Sequence, residues 1–283
     1  MRFALNIPPF GALADVRALS ALAHEAEDAG WDGFFLWDHV HVEPPQEVAD
    51  PWVALTAIAL ATERIRLGAL VTPLPRRRPW QVARETTTLD HISNGRLILG
   101  VGIGGDNWFH EYSALGEQVN DKLRAAMLDE GLDVLMGLWS GERFSHTGAY
   151  YNIHEAQFLP APVQQPRIPI WVAAMLPHKA PLRRAARWDG VVPGADGRFV
   201  RPDEVRELLA YIREQRASQA SATPDAPFDV ALAGWVGDRE PAEQTTLMRE
   251  YDEAGVTWWQ EGFLPGDTPD RVRERIRQGP PTL

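Results

Sequence analysis

Not one of the 283 residues is cysteine. Disulfide frameworks, thiolate nucleophiles, zinc ribbons and iron–sulfur clusters are excluded, since each needs cysteine sulfur. A cationic surplus is lacking too: 28 lysines and arginines stand against 39 aspartates and glutamates, a net charge of −11. Such a chain repels a phosphate backbone, so nucleic-acid binding is not expected. No apolar run approaches the roughly 20 residues of a bilayer-crossing helix. Residues 1–9 do not read as a signal peptide either, because Pro8-Pro9 cut the apolar stretch short. The expectation is a cytoplasmic protein that touches neither membrane nor nucleic acid. Hydrophobic residues at 45% and charged residues at 24% are ordinary for a globular chain. Tryptophan is plentiful, with 11 residues. Side chains that large and flat suit burial, or the walls of a pocket for a flat ligand.

The chain alternates between two periods. Residues 3–7 are a short apolar run stopped by proline and read as a strand. Asp15 then caps a helical pattern of Val16, Leu19, Leu22, Ala23 and Ala26 that ends at Gly30. Further strands are expected at 33–37, 65–71, 96–101, 168–173, 189–192, 228–236 and 256–260. Helices are expected at 52–62 behind Asp50-Pro51, and at 79–92, 121–138, 178–187, 202–217 and 240–254, with a last one after Thr268-Pro269. Residues 141–162 read as a hairpin or loop insertion, and 215–227, rich in Ser, Ala and Pro, as a mobile loop. Eight strand–helix units in order predict one α/β domain over 1–283, a (β/α)8 TIM barrel with an insertion region after strand 4. An open doubly wound sheet is the competing topology.

In a barrel, chemistry gathers at the C-terminal ends of the strands. That directs attention to Asn6, to Trp37-Asp38-His39-Val40-His41, to Val71-Thr72, to the glycines after strand four, to Ala173-Ala174-Met175 and to Trp235. His39 is the natural acid or base near neutral pH, and Asp38 is the carboxylate placed to orient it. His39-x-His41 also matches half of a metal motif, yet strands four to six end without further ligands, so no metal is expected. Gly100-x-Gly102-x-Gly104-Gly105 formally fits a dinucleotide fingerprint, but a loop follows where a helix is needed. The run Arg76-Arg77-Arg78 reads as a solvated or interface face rather than a catalytic one.

The segments GFFLWDH (33–39), ATERIRLGALVTPLP (61–75), TLDHISNGRLILGVG (88–102) and RRAARWDG (183–190) resemble the luciferase-like monooxygenase family, in family order and over nearly the whole chain. The resemblance implies a flavin- or deazaflavin-dependent oxidoreductase using reduced FMN and O2, or coenzyme F-420, on a small organic substrate. It implies a non-proline cis bulge near Leu70-Val71, with Thr72 following, against which the cofactor ring leans. Gly102 and Gly104 fall where backbone approaches the cofactor, and Ala173, Ala174 and Met175 where its phosphate is held. His39 matches the acid/base position of the deazaflavin dehydrogenases. Those enzymes place a glutamate after the strand-four glycines, where this chain offers Gly105 and Asp106. Asn6, Trp37, Trp108, Trp235 and Trp259 are candidate pocket walls, capped by the loop after strand four and by 141–162. A separate flavin or deazaflavin reductase is an implied partner. A homodimer is also implied, with helices two and three (Trp52, Trp80) as its face. The alternatives are a non-catalytic flavin-binding barrel and a metal-dependent hydrolase using Asp38, His39 and His41.

Overall fold

The computed structural model describes residues 1–218 and 227–283. In chain order its elements are β1 (Arg2–Ile7), α1 (Val16–Asp28), β2 (Gly33–Leu36), α2 (Pro51–Ala61), β3 (Arg66–Ala69), β4 (Thr72–Pro73), α3 (Pro79–Ile92) and β5 (Leu99–Gly102). Then follow α4 (Glu111–Ala114), α5 (Asp121–Trp139), β6 (Arg143–Thr147), β7 (Asn152–Gln157), β8 (Ile170–Leu176), α6 (Lys179–Ala185), β9 (Gly190–Ala195), α7 (Pro202–Ala217), β10 (Asp229–Gly234), α8 (Pro241–Ala254), β11 (Trp258–Gly262) and α9 (Pro269–Arg277).

Nine parallel strands form one sheet in the order β3-β2-β1-β11-β10-β9-β8-β5-β4. β3 and β4 are two pieces of one stave, separated by Leu70-Val71, whose peptide bond is cis as the family resemblance implied. The ends of the sheet meet. Leu67 of β3 bridges Leu97, Ile98 N–H donates to Leu67 O at 2.9 Å, and Thr72 of β4 pairs with Val101 of β5. Counted as staves, β3 and β4 are one, so the (β/α)8 expectation holds and the open sheet does not. At that seam a Cβ on Gly68 would lie 2.0 Å from Ile98 O, which only glycine avoids.

Strand periodicity sorts the core into two layers. Ala4, Phe35, Leu70, Ile98, Trp171, Ala231 and Trp258 face inward and fill the barrel. Their chain neighbours, among them Phe3, Leu5, Phe34 and Trp259, face the helices. Asp15 and Asp50 cap α1 and α2 through Arg17 N–H at 2.8 Å and Trp52 N–H at 2.9 Å, each contributing about 1 kcal/mol.

Four expectations need correction. Trp259 is a core residue packed on Tyr251 rather than a pocket wall. Trp52 also turns inward, 5% exposed, and is a core residue rather than a surface one. The sixth stave is longer than expected, running from Gly190 to Ala195. The insertion is the antiparallel hairpin β6–β7, but it does not cap the barrel. Glu130 of α5 gathers the N–H groups of Ala149, Tyr150 and Tyr151 at its turn, while Arg84 and His91 of α3 bond Leu159 O and Ala161 O. These bonds lay it along the outer helices. The expected mobile loop falls largely on 219–226, outside the described residues. Among the described residues no helix is long and apolar enough to cross a membrane.

Candidate active site at the barrel mouth

Trp37, Asp38 and His39 follow the end of β2 at Leu36 and open the loop at the C-terminal end of the barrel. Asp38 turns away from the mouth. Its Oδ1 accepts from Arg76 Nη2 at 2.7 Å and Arg77 Nη2 at 2.8 Å, and its Oδ2 accepts from Trp52 Nε1 at 3.2 Å. No hydrogen bond joins it to His39, so it does not orient that ring. The carboxylate that does is Glu111, whose Oε2 lies 3.2 Å from His39 Nδ1. Glu111 Oε1 accepts from Val40 N–H at 2.5 Å and His41 N–H at 3.3 Å, and it forms an ion pair with Arg76 Nη1. The arginine run is therefore no solvated face at its first two positions. The Arg76 side chain is 4% exposed and bridges both carboxylates.

Glu111 was missed in the sequence. Its helix α4 is one turn long, and it stands 72 residues from His39. Two signals pointed toward it: the glutamate that the family resemblance implies after the strand-four glycines, sought too early at Gly105-Asp106, and an acid amid the aromatic stretch Trp108-Phe109-His110-Glu111-Tyr112. Asp106, the acid offered by position, does a different job: its Oδ1 accepts from Tyr112 and Ser113 N–H groups at 2.8 and 3.0 Å. It anchors the turn that carries Glu111.

Charge balances in this cluster: two guanidiniums, Arg76 and Arg77, face two carboxylates, Asp38 and Glu111. Burial, the largest influence, pushes the Glu111 carboxyl up. The His39 hydrogen bond, the Arg76 charge and Val40 N–H outweigh it and hold the group below the ordinary glutamate value. Burial likewise pulls the Arg77 guanidinium down, and its pairing with Asp38 reverses that. A carboxylate beside Nδ1 keeps the hydrogen there, leaving the lone pair on Nε2. Phe10, Phe109 and Trp37 pack around the imidazole, with ring centroids 5.7, 4.9 and 6.2 Å away. The loop after β5 thus closes over the mouth and brings Phe109 and Glu111 with it.

The bulge residues sit beside this cluster on the next stave. Leu70 and Val71 pack on the interior layer. A Cβ on Gly102 would touch Val71 at 2.9 Å and Ala173 at 3.3 Å, so these three expected cofactor residues converge. Gly104 has a different reason to be glycine: its φ is +72° and a Cβ would stand 2.3 Å from the Tyr112 hydroxyl. Ala174 faces the core, while Met175 is largely exposed. β8 pairs with β5 only as far as Val172 and continues to Leu176, so the β5-facing edge of 173–175 has no strand partner.

A cavity of about 620 Å³ opens on the β1, β10 and β11 side, lined among others by Asn6, Trp37 and Trp235. Trp108 is not among its walls and is 69% exposed, its ring edge-on to Phe109. Three buried polar atoms at the mouth have no partner: Asn6 Oδ1, Thr72 Oγ1 and Gln260 Nε2. Buried polar groups are almost always hydrogen-bonded, and Thr72 Oγ1, next to the Leu70-Val71 bulge, keeps capacity for a bound group. Open backbone, a flat apolar floor and orphaned polar atoms fit a flavin-type ring with a phosphate tail. Among the described residues no group of three or more His, Asp or Glu is placed to hold a metal ion.

Residues 1–261 match the sequence profile of the luciferase-like monooxygenases. The chain belongs to that family. An F420-dependent glucose-6-phosphate dehydrogenase of Intrasporangium calvum is 29% identical over 90% of this chain and 84% of its own. An uncharacterized protein of Mycobacterium tuberculosis is 31% identical over 74% of this chain, which spans 65% of that relative's length. Among solved structures, an F420-dependent secondary alcohol dehydrogenase, in complex with an F420-acetone adduct, superposes with a TM-score of 0.82. That match covers 99% of this chain and 98% of that one at 17% identity, a likeness of fold.

Proposed function

We propose that this chain is a deazaflavin-dependent oxidoreductase that moves a hydride between coenzyme F-420 and a small organic substrate, with His39 handling the accompanying proton. The observation that carries the reading is the anchoring of His39 Nδ1 on buried Glu111, which leaves Nε2 as a single, oriented proton site at the barrel mouth. The named relative of Intrasporangium calvum supports the choice of cofactor. Leu70, Val71, Thr72 and Gly102 would back the ring, and the backbone of Ala173, Ala174 and Met175 would hold the phosphate of the tail.

A bound deazaflavin supplies a two-electron acceptor or donor, while the protein supplies orientation and dryness. Oxidation of an alcohol carbon removes one hydride and one proton. His39 Nε2 accepts that proton, and in the reverse direction returns it. Glu111 holds the tautomer and stabilises the imidazolium that forms, as a buried carboxylate does for an acid/base histidine. Phe10, Phe109 and Trp37 pack against the imidazole, whose side chain stays 27% exposed toward the mouth. A separate deazaflavin reductase, as partner, would recycle the coenzyme.

The test is a pair of titrations read by tryptophan fluorescence, with F-420 and with oxidised and reduced FMN. Saturable micromolar binding of F-420 supports the proposal. Binding of reduced FMN alone would replace hydride transfer with oxygenation, and binding of neither would withdraw the cofactor assignment.

A further inference from the structure

The barrel has a second end, and its chemistry is cationic. Arg2, Arg66 and Asp229 are the first residues of β1, β3 and β10. Each stands an even number of residues before an interior side chain of its own stave: Ala4, Leu70 and Ala231. Strand periodicity therefore aims all three into the barrel, at the end opposite His39. Two guanidiniums meet one carboxylate there, and the carboxylate is engaged already: Asp229 Oδ1 accepts from Thr257 Oγ1 at 2.8 Å. Neither arginine forms an ion pair among the described residues. Arg66 Nη1 and Nη2 donate to neutral acceptors, Gly95 O and Gln164 Oε1, both at 3.2 Å, and its Nε is buried without a partner. Arg2 is exposed and lies over the Trp258 ring at 5.2 Å. Burial, and next the like charge of Arg2, hold the Arg66 guanidinium below its ordinary value.

Two indoles close the interior above these charges. Trp171 and Trp258 are fully buried, their ring centroids 5.5 Å apart, and neither Nε1 has an acceptor. The Nε1 edge of Trp171 lies at this same end of the barrel. A Cβ on Gly190, the first residue of β9, would stand 2.9 Å from that nitrogen and 2.8 Å from Asp229 O. A buried indole N–H ordinarily finds a partner. The unused groups gathered here are all donors or cations: Trp171 Nε1, Trp258 Nε1, Arg66 Nε and the Arg2 guanidinium. Two positive charges against one negative suit a monoanion better than a dianion. Phe35, Trp171 and Trp258 fill the interior above, so the occupant must be small.

We infer that the N-terminal end of the barrel is an anion site, which takes a chloride-sized inorganic monoanion between Arg66, Arg2 and the Trp171 indole N–H. The site lies at the far end of the barrel from His39 and is independent of the cofactor reading. An anion held there offsets the repulsion between Arg2 and Arg66. It also ties β1 to β3, the staves on either side of β2.

The experiment titrates the intact chain with chloride and follows line broadening of the chloride NMR signal, with sodium gluconate holding the ionic strength constant. Broadening should saturate, and Tm should rise as chloride replaces gluconate, an anion too large for the site. Arg66→Gln should weaken chloride binding about tenfold, the worth of one charge-assisted hydrogen bond. Arg2→Gln is the second variant: the side chain is exposed, so the fold survives its loss, and binding should weaken about threefold. Arg213→Gln removes an exposed charge from α7 and should leave chloride binding unchanged. Phosphate at equal ionic strength should not displace chloride. Broadening that never saturates, or that survives both Arg66→Gln and Arg2→Gln, would overturn the inference. So would an equal loss in Arg213→Gln, which would mark a general effect of net charge, or displacement by phosphate, which would mark an open cationic surface.

Discussion

Replacing Glu111 by glutamine tests the site at its least legible residue. The cluster has two positive and two negative groups, and three of the four side chains are at most 4% exposed. Glutamine keeps the shape and one carbonyl for Val40 N–H, but removes the charge facing Arg76. It also turns an amide N–H toward either Arg76 or His39 Nδ1–H, donor against donor. Breaking a buried ion pair from one side costs about 3–5 kcal/mol. Because Val40 keeps its acceptor, the lower figure applies, about 3 kcal/mol. At about 2–4 °C per kcal/mol for a domain of this size, Tm should fall by roughly 6–12 °C. The pH dependence has a definite sign. Glu111 is held below its unfolded value, so its contribution is fully present above about pH 4.3 and is lost as pH falls through the folded value. The gap between wild type and Glu111→Gln should therefore be full at pH 7 and shrink on acidification below that. Thermal unfolding followed by circular dichroism at pH 7, 5 and 4 measures it. Equal Tm values at pH 7, or a gap that widens in acid, would refute the argument.

Other substitutions probe other links. His39→Ala should lower kcat by about 10²–10⁴ with the cofactor and substrate in hand, the usual worth of a positioned acid or base, while urea unfolding changes little. Arg76→Lys should mimic Glu111→Gln in reduced form, because a point charge on a flexible stem cannot fork between Asp38 and Glu111, and a fall in both Tm and kcat checks it. Glu27→Ala strips acceptors from the N–H groups of Glu63, Arg64 and Ile65, bonded at 3.0, 2.6 and 2.7 Å, and should cost about 3 kcal/mol in a urea titration. Gly104→Ala meets the Tyr112 hydroxyl at a φ of +72° and should destabilise by about 1–3 kcal/mol, again read by urea midpoint.

Much of the fold was legible because periodicity is local. Pro79–Ile92 and Pro202–Ala217 emerged with the expected bounds, since proline at the first helical position and an apolar stripe mark both helices within their own sequence. The bulge at Leu70-Val71 was legible through family resemblance, not through physics of the segment itself. The hairpin β6–β7 was legible as an element but not in its placement. What seats it is Glu130, an unremarkable acid in an amphipathic helix until the turn it collects is known. Arg76 and Arg77 were misread for the same reason, because burial of a charge is decided by distant partners.

Asp38 and His39 show where adjacency misleads. Both residues sit in the loop after β2, and there partners are set by what each side chain reaches across the barrel end, not by adjacency in sequence. Asp38 points outward, to Trp52 of α2 and the arginines that follow β4, while His39 points to the mouth and needs its carboxylate from across it. The loop after β5 supplies Glu111, and Arg76 joins the two acids through the wall of the barrel. Three separate βα loops are therefore fastened to one another by charge, and the position of the His39 ring depends on all three. A site of this kind cannot be found by scanning for catalytic pairs at short spacing. It can be found by asking which charged residues a closed barrel forces out of water, because each such residue must find an opposite charge among the few loops within reach.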